Sequence, residues 1–149
     1  MNKYELSINT NNEYPVYYHH DTVTFEYNHP NWHNNIEILY ITHGNGTVLN
    51  NSVRYNATKG DVFVINSNNV HSVTSNTLMH STCFIIDNDF YSDNGIPVKN
   101  LEFSTQIKFR VTSEFCEKLI CEPDNPSEFH SAGLKIAILQ KESLIRYFV

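Results

Sequence analysis

The stretch Asn31-Trp32-His33-Asn34-Asn35-Ile36-Glu37, with Gly44 six residues further on, carries most of the information in this chain. His33 and Glu37 lie four apart, so one continuous strand, whose side chains alternate with a period of two, would place both on one face. A second stretch begins at Gly60-Asp61 and runs through Asn66-Ser67-Asn68 to His71. Two imidazoles and a carboxylate gathered inside a barrel suit a divalent metal of the zinc, iron or manganese type. The competing reading of His33, Glu37 and His71 is a polar ligand-binding or structural group. Alternation from Glu37 sends Leu39 and Ile41 inward and Ile38 and Tyr40 outward, and alternation from His71 sends Val73 inward. Such a lining, mainly apolar with a few polar groups, fits a small-molecule pocket; a small barrel packed solid by its own side chains is the alternative. Trp32, beside His33, either stacks on a flat ligand face such as a sugar or packs half-buried.

Outward from these stretches, short runs rich in β-branched and aromatic residues are separated by Asn, Gly and Asp. Val16–His20, Thr22–Tyr27, Glu37–His43, Gly46–Asn50, Ser52–Asn56, Asp61–Ile65, Val70–Ser75 and Leu78–Ile86 read as strands, spaced as in an antiparallel sandwich or barrel. Asn50-Asn51 offers a type I′ hairpin turn, because Asn tolerates positive φ, and His43-Gly44-Asn45-Gly46 offers the same chemistry one strand earlier. Near Asp124 the pattern turns helical. Asp124, Asn125 and Ser127 are N-cap candidates around Pro126, and apolar residues then cover more than one face up to Phe148. A shorter helix is expected around Ser113–Ile120. The chain ends while still helical and without a stop signal, so it reads as the front part of a longer protein.

The 149 residues fit one domain, and ten Lys+Arg against sixteen Asp+Glu leave a net charge of −6. An acidic surface with no basic run argues against direct grip on a phosphate backbone. Three scattered cysteines (Cys83, Cys116 and Cys121) point to a reduced, cytoplasmic protein rather than a disulfide framework. No apolar run is long enough for a membrane span.

The two opening stretches resemble the paired motifs of the cupin superfamily. The first family motif is His-x-His, three or four residues, Glu, six residues, Gly; the second is Gly, five residues, Pro-x-Gly, two residues, His. The spacing matches throughout, with Asn31 in place of the first His, and Asn66 and Asn68 in place of the Pro and Gly. The run from Trp32 to Ile41, a Gly-rich hairpin, then Gly60-Asp61-Val62-Phe63-Val64-Ile65-Asn66 and His71 is similar to the N-terminal sensor domain of AraC-type transcriptional regulators.

That resemblance implies a mainly β, cupin-like antiparallel barrel with an N-terminal arm (Met1–Glu13) over residues 1–123. It implies a C-terminal helical segment over 124–149 that serves dimerisation, and a helix-turn-helix DNA-binding domain further along the gene, absent from this chain. The implied function is non-enzymatic: a homodimer senses a small polar effector, a sugar for example, and controls DNA binding by the downstream domain. The ligand residues would be Asn31, Trp32, His33, Glu37, Leu39, Ile41, His71 and Val73. No cofactor is required, although His33, Glu37 and His71 could take a divalent metal; a stand-alone metal-dependent cupin oxygenase or isomerase is the alternative. His29, four residues before His33, could stand in for Asn31, but Pro30 interrupts the strand between them. His19, His20, His43 and His80 read as surface or interface residues.

Overall fold

The computed structural model describes residues 3–4, 16–23, 29–93 and 102–107. The expected helices at 113–120 and 124–149, with Cys116 and Cys121, and all of the arm except Lys3–Tyr4, lie outside the described residues.

Two five-stranded sheets carry the fold. The first runs β1 (Lys3–Tyr4), β3 (Asn31–Trp32), β8 (His71–Thr74), β5 (Asn45–Asn50) and β6 (Val53–Thr58) in that spatial order. The second runs β10 (Gln106–Ile107), β7 (Val62–Ile65), β4 (Ile36–His43), β9 (Met79–Ile86) and β2 (Val16–Val23). Every pairing is antiparallel except β1 with β3. The mainly β, antiparallel architecture expected from the spacing of the apolar runs is therefore present.

The core lies between the sheets. Leu39, Ile41, Phe63, Ile65, Met79, Cys83 and Val23 from the second sheet meet Val48 and Ala57 from the first, with Tyr55 and Val73 packed against them. Burying each large aliphatic or aromatic side chain contributes roughly 1.5–3 kcal/mol. Pairing register explains the membership. Leu39 stands opposite both Phe63 and Cys83, so all three project to one face.

Three local expectations are corrected and a fourth is sharpened. Val16–Val23 is one continuous strand, held along its length by β9, rather than two runs broken at Asp21. The β5–β6 turn sits one residue later than expected: Asn51 (φ 45°) and Ser52 (φ 69°) take the positive φ, while Asn50 pairs with Val53 in the ladder. The His43–Gly46 segment is no hairpin, because β4 and β5 belong to different sheets. Gly44 (φ 77°) is the corner where the chain crosses, and its carbonyl accepts from Lys59 N at 3.1 Å. Tyr40 does take the outward pleat, yet it is only 2% exposed, as are its face-mates Ile36, Val62, Val64, Phe84 and Ile86 at 2% or less. The second sheet is thus buried on both faces, which alternation alone cannot reveal.

A short helix α1 (Asn88–Asp93) was not anticipated. Asp87 caps it, Oδ1 accepting from Asp89 N at 2.9 Å, and Tyr91 is buried at 1% exposure. No helix among the described residues is long and apolar enough to cross a membrane.

Candidate functional site

His33 and Glu37 do meet, but not as neighbours on one strand. His33 follows β3 in the first sheet, a bend at Asn34-Asn35 carries the chain across, and Glu37 lies in β4 of the second. That bend is clamped from outside. Ser67 Oγ and Asn88 Nδ2 each donate to Asn34 O at 2.6 Å, Asn68 N donates to His33 O at 2.8 Å, and Asn35 Nδ2 donates to Ile86 O at 3.3 Å. Asn68 (φ 64°) stands where the cupin motif has Gly, in the left-handed conformation that Asn accepts better than other side chains. Asn66, at the motif's Pro position, forms a two-way clamp: its Nδ2 donates to Phe103 O at 2.8 Å and its Oδ1 accepts from Phe103 N at 2.9 Å.

The result is a buried group joining the two sheets. His33 Nε2 lies 3.0 Å and His71 Nε2 3.4 Å from the same carboxylate oxygen, Glu37 Oε2. The rings sit edge to face with centroids 5.0 Å apart, and His33, Glu37 and His71 are each 5% exposed or less. Both Nδ1 atoms donate to backbone carbonyls, His33 to Asn35 O at 3.1 Å and His71 to Asn69 O at 3.0 Å. In that tautomer a neutral imidazole turns a lone pair toward a carboxylate oxygen that can only accept. The contact therefore calls for a proton on Nε2 or for a cation between the groups. Burial by itself would raise the Glu37 carboxyl, but the hydrogen bonds and charges of His33 and His71 outweigh it and hold the group below the usual carboxylate range.

Residues 13–104 match the family described as AraC-like ligand binding domain. The chain belongs to that family. No curated protein sequence matches this AraC-like domain. Among solved structures, unsaturated-fatty-acid-bound ToxT from Vibrio cholerae strain SCE256 aligns with a TM-score of 0.59 at 13% identity, over 89% of this chain and 55% of that one. A cupin 2 conserved barrel domain protein from Salinispora arenicola CNS-205 gives 0.48 at 15% identity, over 60% and 78%. The plu4264 protein from Photorhabdus luminescens gives 0.47 at 20%, over 59% and 76%.

Around the histidines of the AraC-like domain, the first sheet sets a row across its inner face. His71 pairs with Asn31 on one side and with Asn50 on the other. Asn50 shares its pleat with the core residue Val48 and is 3% exposed. Its Nδ2 donates to Thr105 Oγ1 at 2.9 Å, while its Oδ1 is buried with no hydrogen-bond partner. Sequence reading had placed Asn50 in a turn; only the β5–β8 register brings it beside His71. Leu39 and Ile41 point inward and are fully buried, Val73 is half-buried against them, and alternation along β3 puts Trp32 on the opposite face from Asn31. His29 is exposed and does not join the group.

The wall continues along the second sheet. Cys83 lies close enough to Glu37 for its thiol to feel that carboxylate, and its Sγ donates to Asp21 Oδ2 at 3.4 Å. Burial first, then the carboxylates of Glu37 and Asp21, push the thiol's ionisation up. His19 Nε2 is 2.9 Å from Asp21 Oδ2. His19 is thus part of the inner wall, while His20, on the other pleat, is exposed and its Nδ1 bonds Thr82 Oγ1 at 2.7 Å.

Proposed function

We propose that this AraC-like domain is the effector-sensing part of a bacterial transcription regulator, and that its effector is a small, polar, hydrogen-donating molecule of the sugar or polyol class. The observation that carries the reading is the buried, unpartnered Asn50 Oδ1, which lies beside His71 in the inner row of the first sheet. Buried acceptors of this kind are normally satisfied, and hydroxyl or amine hydrogens from a ligand would satisfy them. ToxT, of like fold, is described with an unsaturated fatty acid bound. The lining named here, Asn31, Asn50, His71 and Glu37, is polar, where a long acyl chain needs an apolar one.

Lys3–Tyr4 of the arm pairs with Asn31–Trp32, directly next to the histidines. Effector binding would therefore bias how the arm and the C-terminal helical segment are arranged, and through a homodimer the DNA occupancy of a downstream domain. A ligand panel read by thermal unfolding tests the ligand class. Neutral sugars and polyols should raise Tm, with the shift lost in Asn50→Leu and His71→Ala. Stabilisation confined to long-chain acids would overturn the proposal.

One observation favours a second reading, a metal-dependent cupin enzyme. The convergence of both Nε2 lone pairs on Glu37 Oε2 is the arrangement that His33, His71 and Glu37 would adopt around a divalent ion, with each Nδ1–H fixed by a carbonyl as in many metal sites. Such an ion would supply Lewis acidity and an activated water. Elemental analysis separates the readings: stoichiometric iron, manganese or zinc that is lost in His71→Ala would favour the enzyme.

A further inference from the structure

The second sheet carries another set of donor atoms, of different chemistry from the first. His19 and Asp21 are two apart on β2, so both project to one face, and Cys83 pairs directly with His19 across the β2–β9 ladder. His19 Nε2 is 2.9 Å and Cys83 Sγ 3.4 Å from Asp21 Oδ2, and all three donor atoms lie within 4.8 Å of one another. A tetrahedral zinc ion, with bonds of about 2.0–2.1 Å to N or O and about 2.3 Å to S, holds its ligands roughly 3.3–3.6 Å apart. Small side-chain adjustments would bring the three donors to those separations. Imidazole, carboxylate and thiol together form a set that zinc takes and that hard ions such as magnesium do not. Cys83 is buried at 5% exposure, whereas the His19 and Asp21 side chains are 34% and 43% exposed. The buried thiol and the two partly open ligands leave both an entry path and a coordination position facing water.

We propose that His19, Asp21 and Cys83 form a zinc-type metal site on the core-facing side of the second sheet, with donors distinct from His33, Glu37 and His71. Cys83 nonetheless neighbours Glu37. On binding, the metal forms a bond to Sγ and the thiol proton leaves to solvent, giving a metal thiolate without any change of oxidation state. The ion would fasten the edge strand β2 to β9, adding a cross-link to a sheet edge otherwise held by its ladder.

Cobalt(II) is the probe, because its charge-transfer absorption reports ligation by Cys83, and His71→Ala tells this site apart from an ion held by the first group, whose Glu37 neighbours that thiol. The metal-free 149-residue chain carrying Cys116→Ser and Cys121→Ser, so that Cys83 is its remaining thiol, is titrated with cobalt and then with zinc. A near-ultraviolet charge-transfer band should saturate at one equivalent, persist when His71→Ala is added, vanish with Cys83→Ser, and be bleached by zinc. Asp21→Asn should weaken cobalt affinity about tenfold or more. A folded protein, by far-ultraviolet circular dichroism, that shows no such band overturns the proposal. So does cobalt binding without sulfur charge transfer that disappears in His71→Ala. Should the double-serine chain fail to fold, the difference between the wild-type chain and Cys83→Ser gives the same reading. The effector reading is unaffected by either result.

Discussion

Glu37→Gln tests whether the buried carboxylate stabilises the fold, since it keeps the shape of the side chain while deleting the charge. Two terms oppose each other. Removing a carboxylate from water costs several kcal/mol, a cost that glutamine largely avoids. Against it stand two contacts with imidazole rings, at 3.0 Å and 3.4 Å, each of the charge-assisted kind that contributes about 1.5–3 kcal/mol. The hydrogen bonds win, because the carboxyl is held below its ordinary value despite its burial. Glutamine should therefore destabilise the metal-free protein by about 2–4 kcal/mol at neutral pH, which is about 4–16 °C in Tm for a chain of this size. The pH dependence has a definite sign. A carboxyl whose folded pKa is depressed contributes stability that is present above its unfolded value and is lost as pH falls through the folded one. The Glu37 share of the gap between wild type and variant should thus stand at neutral pH and shrink once the pH drops below about 4. Urea unfolding in the presence of a chelator, at several pH values, measures it. A variant as stable as the wild type, or more so, at neutral pH would show that desolvation outweighs the two hydrogen bonds and refute the reasoning.

Two further outcomes rest on backbone geometry. Gly44→Ala forces a side chain onto φ 77° and drives its Cβ into the carbonyl of Leu78, so unfolding free energy should fall by about 2–4 kcal/mol, a loss that urea midpoints would register. At Asn68, whose φ is 64°, Asn68→Gly should lie within about 0.5 kcal/mol of wild type while Asn68→Val costs about 1–3 kcal/mol; equal midpoints for the two variants would remove the left-handed requirement from the argument.

What could be read from the sequence was local in kind. Strand runs and the spacing of Gly44, Gly60 and His71 are written in neighbouring residues, and they led to most of the strands, the mainly β class and the right family. The partnership of His33 with Glu37 was also anticipated, but through one continuous strand, whereas a clamped bend between two sheets creates it. Long-range register is what stayed hidden. Asp21 and Cys83 are 62 residues apart, and nothing near either one announces the other. Asn50 looked like turn chemistry because an Asn pair usually marks a turn; a slip of one residue moves it from the hairpin tip to the inner face beside His71. Helix α1 was missed because six residues are too few for a 3.6-residue period to show.

The three asparagines that depart from the cupin pattern are not equivalent, and the difference bears on what the site can do. Asn68 and Asn66 preserve geometry by other means: one adopts the positive φ that glycine would have supplied, and the other ties its loop to Phe103 with two hydrogen bonds. The loop that positions His71 is therefore fixed by a left-handed residue and by two side-chain hydrogen bonds to the backbone. Asn31 preserves only position. It keeps the ladder partner of His71, but it exchanges an imidazole for an amide, a weak ligand for transition metals and a good hydrogen-bonding partner for a polar molecule. The scaffold has been kept while one metal-binding donor has been given up, and the inner row Asn31–His71–Asn50 now presents amides on both sides of the ring. A row of that chemistry favours reading hydroxyl groups over activating an ion, which is the physical ground for placing the sensor ahead of the enzyme.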